Sequence, residues 1–489
     1  MSVLKRKNSY RIIGFMLIVI GMSMLPSLFT SIVCKEPKQT LSFSATIVST
    51  IVSGFFILLT FPISEEKAKA RDGFFIVSLC WILASLIGAV PAFASGTVPS
   101  YVDSFFETCS GFTTTGASVI STPEALPKSI LLWRSTAVWL GGAGIILFTA
   151  FVLPFSKIEG QKSARQEMSL QRVGKLSIRL HGTVLKLFRF YLFLSASLVF
   201  LLYLGKMRFF DALIHGLSII GTGGFSSFNT GMEKTGTPFI NLITIAFMII
   251  VGSNLNLWIR AKKYGMKVFY GNKEFKFYIL AIIAVSVLIA ANTYAAGIFR
   301  HLRDAAMSAF FQVSSMASTT GQHISDINKW PTFSKMLLLS VMLIGGCTSS
   351  LAGGPKFMRI LVSLKLIRRG ISKRLHPNRV FIISLDRREL PQEVVTNIAN
   401  FMFLYFFMLF SGCILLSING FDLVTTFSGV IACLNNIGIG FNLIGPAGNF
   451  ADFSGFSKSV LSVLMIAGRL ELFTLLMLFS PHYWNADRV

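Results

Sequence analysis

Four stretches of the chain combine residue types suited to one kind of chemistry. They cover 103–118, 211–226, 304–321 and 422–440, and each opens on an Asp. Each continues through an apolar run and ends in small polar residues and Gly: Thr114-Thr115-Gly116, Gly221-Thr222-Gly223, Thr319-Thr320-Gly321 and Asn436-Ile437-Gly438. The apolar runs are about 9–15 residues long, too short to cross hydrocarbon and right for a re-entrant half-helix. Non-helical backbone is tolerated at membrane depth only where it lines a water-filled path or is buried in protein. Gly permits positive φ, so successive carbonyls can turn toward one axis. A ring of such carbonyls replaces the hydration shell of an alkali cation. A half-helix that enters with its Asp-bearing N-terminus points its partially negative C-terminus at the membrane centre, which selects cations over anions.

The elements that position these stretches follow from composition. Of 489 residues, 53% are hydrophobic and only 13% are charged, about half the charged share of a soluble domain. That excludes an ordinary soluble enzyme, a disordered chain and a secreted disulfide scaffold, and leaves a polytopic membrane protein. Ten apolar stretches are long enough to span: 12–33, 41–63, 74–95, 129–153, 183–204, 238–260, 276–298, 332–364, 396–418 and 457–480. The first follows MSVLKRKNSYR and is read as a membrane helix, since it runs to Ile32 with only Pro26 inside it and no A-x-A site follows.

Ten crossings place both termini on one side. The net charge is +24. Roughly two thirds of the 45 Lys+Arg lie at the N-terminus, in 64–73, 154–186, 259–277 and 355–393, and at the C-terminus, so that side is the cytoplasm. The basic excess is therefore a topology signal rather than a sign of nucleic-acid binding.

The half-helices recur at near-equal spacing, so 74–489 reads as four copies of helix, half-helix, polar segment, helix. The expected fold is all-α: ten transmembrane helices, with four pseudo-symmetric repeats (74–153, 183–260, 276–364, 396–480) around one pore, and a helical hairpin over 1–63. The third repeat's second helix is broken by Gly345-Gly346-Cys347-Thr348-Ser349-Ser350-Leu351-Ala352-Gly353-Gly354. Four glycines and three hydroxyls in ten residues make a poor helix and a hydrophilic segment near mid-membrane, which either lines the pore or packs helices closely.

Arg469 sits within the last apolar stretch. A charge there needs a partner or a pore, so it either sets an electrostatic barrier or ties repeats together. Asn254 and Asn256 are expected mid-helix, facing a cavity or bonding between helices. The six Cys (34, 80, 109, 347, 413, 433) form no CxxC pair, and the six His are dispersed, with His215 structural inside a half-helix. No Walker or G-x-G-x-x-G motif marks a nucleotide site, and an intramembrane enzyme would need convergent acids, bases or ligands that the sequence does not offer.

The segments SGFTTTGAS (110–118), GTGGFS (221–226), STTG (318–321), NNIGIGF (435–441), GGCTSSLAGGPK (345–356), LHPNR (375–379) and GRLELFTLLMLF (468–479) resemble the TrkH/TrkG membrane subunits of the Trk/Ktr/HKT cation transporter superfamily. The resemblance implies potassium uptake across the bacterial inner membrane. It implies a selectivity filter at the four Gly-ended triplets, with Gly116 favouring potassium over sodium, a gating loop at 345–354, and Arg469 in the permeation path. A homodimer is also implied, as is a cytosolic TrkA-like subunit that binds NAD or ATP/ADP. The basic loops 154–186 and 355–393 would dock that subunit or rest on anionic lipid. No cofactor is expected in this chain, and potassium would be its substrate. A sodium or mixed-cation transporter is the alternative within the class. Gln322-His323 replaces an apolar residue of the family pattern near the outer mouth, and Pro355 replaces an aliphatic one.

Overall fold

The computed structural model describes residues 7–61, 70–159, 170–235, 237–378, 381–386 and 388–477. Residues 62–69 and 160–169, parts of the segments expected to be cytoplasmic, and the end of the last expected span, from 478, lie outside the described residues.

Among the described residues, seven helical stretches are long and apolar enough to cross a membrane: Tyr10–Val33, Pro37–Thr60, Phe75–Ala94, Lys128–Ile146, Val184–Leu204, Lys273–Ala295 and Gln392–Ser417. Two radial positions are evident. Only 28% of the Pro37–Thr60 window and 22% of the Gln392–Ser417 window are buried, against 72% for Lys128–Ile146. The first two therefore turn large apolar side chains such as Leu59 and Phe403 outward, as lipid-facing helices do, while the third is an inner helix.

The three remaining expected spans are each interrupted. Pro238–Gly252 and Leu255–Tyr264 meet at a bend of 96°. Thr332–Ile344 and Phe357–Leu375 are separated by the glycine-rich loop. Gly455–Arg469 and Phe473–Leu476 are separated by Glu471 and Leu472, which have positive φ. Arg469 and Asn254 thus lie at helix breaks rather than mid-helix. Asn254 caps the second segment of its pair by accepting from Asn256 N at 3.0 Å.

Four short helices sit among the inner segments: Tyr101–Phe112, Phe209–Ile220, Leu302–Ala317 and Leu423–Leu434. Their inner ends are buried, from Phe106 to Phe112 in the first and from Gly429 to Leu434 in the last. The expected Asp cap holds for one of them, where Asp422 accepts from Thr425 N at 3.1 Å. Asp103, Asp211 and Asp304 instead lie inside the first turn, where a negative charge still complements the helix dipole.

Candidate functional site

All four short helices end in the same way. A residue with left-handed backbone follows each helix: Thr114 (φ 57°), Thr222 (61°), Thr319 (53°) and Asn436 (54°). Its N–H bonds back to Gly111, Ile219, Met316 and Cys433, and the next N–H reaches Ser110, Ser218, Ser315 and Ala432. This pair of bonds is a Schellman termination, which normally places Gly, or sometimes Asn, at the left-handed position. Three Thr there are sterically unfavourable, and such strain persists where the surroundings over-determine it, often at functional sites.

The shared geometry corrects the sequence reading by one residue. Thr114, Thr222, Thr319 and Asn436 are equivalent, so Gly116 matches Gly224, not Gly223, alongside Gly321 and Gly438. Gly221 is the last cap position of its helix rather than the start of the triplet. The sequence reading placed the anchor at Gly223; the backbone conformation of Thr222 moves it to Gly224. Gly116, Gly321 and Gly438 have φ between 71° and 87°, whereas Gly224 does not enter that region.

These four glycines touch in a closed ring. A methyl group built on Gly116 would lie 2.2 Å from Gly224 N, and one on Gly224 would lie 3.0 Å from Gly321 O. One on Gly321 would lie 1.9 Å from Ile437 O, and one on Gly438 would lie 2.3 Å from Thr115 O. The chain thus returns to its first repeat after four steps, with the backbones too close for a side chain at Gly116, Gly321 and Gly438 and tightly apposed at Gly224. The carbonyls of Thr114, Thr115, Thr319, Thr320, Asn436 and Ile437 accept no hydrogen bond from described residues, although all six residues are buried. Buried backbone carbonyls are rarely left unpaired, so this cluster suits a cation. Several side chains here are engaged: Thr113 pairs with Thr115 at 2.8 Å and Ser318 with Thr320 at 2.7 Å, and Asn436 donates to Thr115 across repeats at 3.0 Å, whereas the Thr114 hydroxyl has no partner among the described residues.

On one side of the ring lies a narrow cavity of about 60 Å³, lined by Gly116, Gly224, Gly438, Arg134, Phe225 and His323 among others. His323 faces this cavity, while Gln322 turns inward, is fully buried and donates to Phe225 O. Two side chains that the sequence reading passed over brace this side. Glu107 and Arg134 form a buried ion pair at 2.6 Å, and Glu107 also accepts from Val119 N at 2.9 Å and from the Ser118 hydroxyl. Two opposite charges in apolar runs of one repeat were the available signal. His215 has both ring nitrogens engaged, with Asp211 O and the Ser226 hydroxyl, in keeping with a structural role.

On the other side, loop 345–354 lies directly against the ring. Gly353 N donates to the Thr319 hydroxyl at 2.8 Å, and the Thr222 hydroxyl donates to Leu351 O at 3.2 Å. Its docking place is the 252–255 break. A helix ends with carbonyls lacking intrahelical partners, and here Gly252 O and Val251 O receive Cys347 N (2.8 Å) and Leu351 N (3.2 Å). Two helix breaks over 90 residues apart thereby complete each other's hydrogen bonding. Arg469 is 3% exposed and donates to Leu351 O at 2.8 Å and to Gly141 O at 3.0 Å. Beyond the loop opens a cavity of about 350 Å³, lined by Thr348 to Gly354, Arg469 and Glu471.

The family model for TrkH, a cation transport protein, matches residues 41–486. The chain belongs to the TrkH family. It is 33% identical over 484 residues to the Trk system potassium uptake protein TrkH of Salmonella typhimurium, spanning 97% of this chain and 98% of that one. It is 34% identical to the TrkH protein of Vibrio parahaemolyticus, over 98% and 99% of the two chains. The crystal structure of the potassium transporter TrkH from Vibrio parahaemolyticus superposes with a TM-score of 0.89 at 31% identity, covering 98% of this chain and all of that one. TrkH proteins are multi-pass membrane transporters, so this chain is a membrane transport protein and not an enzyme.

Proposed function

We propose that this chain is the potassium-translocating membrane subunit of a Trk uptake system in a bacterial inner membrane. The observation that carries the reading is the closed ring Gly116, Gly224, Gly321 and Gly438 beside buried carbonyls that accept no bond from described residues. Four half-helix C-termini converge on it, and their partial negative charge favours a desolvated cation. The triplets Thr114-Thr115-Gly116, Thr222-Gly223-Gly224, Thr319-Thr320-Gly321 and Asn436-Ile437-Gly438 form the selectivity filter. Glycine at all four ring positions leaves the cage open to K⁺, which crosses down the membrane potential at ~2.3 kcal/mol per charge per 100 mV.

The scaffold is four helix–half-helix–helix repeats plus the N-terminal hairpin. Ten spans result when each interrupted helix counts as one crossing. The basic side is cytoplasmic, with both termini there. Loop 345–354 is the gate: it touches the filter Thr residues from below, and Arg469 pins it. A cytosolic nucleotide-binding partner of TrkA type acts on the basic surface after the loop, and the chain works as a homodimer. The Trk system names of the relatives support a partner, and the charge of 356–374 suits one.

The test is ion flux into proteoliposomes holding the purified chain, with K⁺, Rb⁺ and Na⁺ compared. Flux of K⁺ and Rb⁺ with Na⁺ excluded is expected. Equal Na⁺ flux overturns the potassium reading, and flux of none of them under an imposed potential, with or without the partner, overturns the transporter assignment.

A further inference from the structure

We propose that Glu274 is the latch that holds loop 345–354 in its bent form and links it to a cytoplasmic hairpin; this rests on the reading of that loop as the gate. Glu274 lies in the first turn of Lys273–Ala295, where an acidic residue is unremarkable on electrostatic grounds alone. Its surroundings are not those of an ordinary first-turn carboxylate. It is 4% exposed, and one carboxylate oxygen accepts three hydrogen bonds: from Thr348 N at 2.6 Å, the Thr348 hydroxyl at 2.8 Å and Met358 N at 3.2 Å. Thr348 is inside the loop and Met358 is in the first turn of the helix after it. A single buried oxygen therefore ties the loop to the start of the next helix.

Those donors are the ones that must change partner if the broken helix straightens. In a continuous helix Thr348 N would bond to Ile344 O and Met358 N to Gly354 O, by the i to i−4 rule. In the bent form Ile344 O is taken by Lys356 N at 2.8 Å, while Glu274 takes both amides. The two forms satisfy the same N–H groups in different ways, which makes the segment a two-state element whose balance Glu274 sets.

The other side of the Glu274 turn is held by the cytoplasmic hairpin, in which Ser384–Leu385 pairs with Arg388–Glu389. Asp386 at its tip accepts from Lys273 N at 2.9 Å and from the Asn272 side chain at 3.4 Å, and Asn272 caps the same helix by accepting from Phe275 N. Lys365, on the helix that leaves the loop, bonds to Ser384 O. Displacement of the hairpin by a docked protein thus pulls on residues 272–273, one position from the latch.

The test uses the full chain in proteoliposomes without any partner, together with amide exchange across 345–358. Glu274→Ala removes all three bonds to the carboxylate and should raise K⁺ flux by at least about tenfold. It should also speed exchange at 345–358 and leave the K⁺/Na⁺ ratio of the parent. Thr348→Val removes one donor without stranding a buried charge and should give a rise of about threefold; it carries the test if the Ala variant does not fold. Asp386→Asn should speed exchange at 345–358, and parent-like exchange there overturns the hairpin link. Parent-like flux in folded Glu274→Ala and Thr348→Val, beside raised flux after deletion of 348–350, overturns the latch alone. Parent-like flux in all three overturns the gate reading beneath it.

Discussion

The guanidinium of Arg469 donates to the carbonyl oxygen of Leu351 at 2.8 Å, joining the end of the Gly455–Arg469 helix to the glycine-rich loop 118 positions earlier. Its other terminal nitrogen reaches Gly141 O. Two helices and the glycine-rich loop meet at this one buried charge. A buried cation is tolerated where carbonyl dipoles take the place of water, and here the acceptors are the backbone carbonyls of Leu351 and Gly141. The two roles open to Arg469, a pore charge and a tie between repeats, are thus compatible in one geometry.

Arg469→Ala is expected to raise K⁺ conductance, since it removes both a positive charge beneath the ring and a tether on Leu351. Single-channel or flux recording of the purified variant checks it. A folded variant with the conductance of the parent would show that the guanidinium serves packing alone.

Gly116→Ser should weaken discrimination against Na⁺. The added Cβ would sit 2.2 Å from Gly224 N, and the backbone at φ 82° is unfavourable for any L side chain, so the ring must widen at that step. Flux ratios for K⁺ and Na⁺ read the effect, and an unchanged ratio in active protein removes Gly116 from the filter.

Deleting residues 348–350 takes out the part of the loop that contacts Glu274 and Leu255. High partner-independent flux with the parental K⁺/Na⁺ ratio is expected, because the ring itself is untouched. Basal flux in correctly inserted protein would place the gate elsewhere.

Glu107→Gln leaves Arg134 buried without its counter-charge. Removing one partner of a buried pair costs about 3–5 kcal/mol, so a clear drop in the melting temperature of the detergent-solubilised protein is expected. K⁺/Na⁺ discrimination should fall with it, since Glu107 also fixes Val119 N just beyond Gly116. A melting temperature and ion ratio equal to those of the parent would make the pair dispensable.

The sequence by itself determined what depends on local composition. Apolar length separated spanning helices from half-helices, since a run either reaches across the hydrocarbon or does not. The glycine-rich break at 345–354 was equally legible, because helix propensity is a local property. So was the recurrence of four short helices ending in small polar residues, apart from one position. The tertiary structure decided whatever depends on a partner far along the chain. Thr222, not Gly221, is the left-handed residue of the second repeat, which moves the ring position from the expected Gly223 to Gly224. The apolar stretch 238–260 carries a short Gly252-Ser253-Asn254 run that could break a helix, but the 96° bend there is held by loop amides from Cys347 and Leu351, which satisfy its last carbonyls. Arg469 ends a helix rather than occupying its middle, for its acceptors are Leu351 and Gly141. Hydrogen bonds and close backbone contacts between segments about ninety or more residues apart leave no periodic trace in composition, so only the folded chain reveals them.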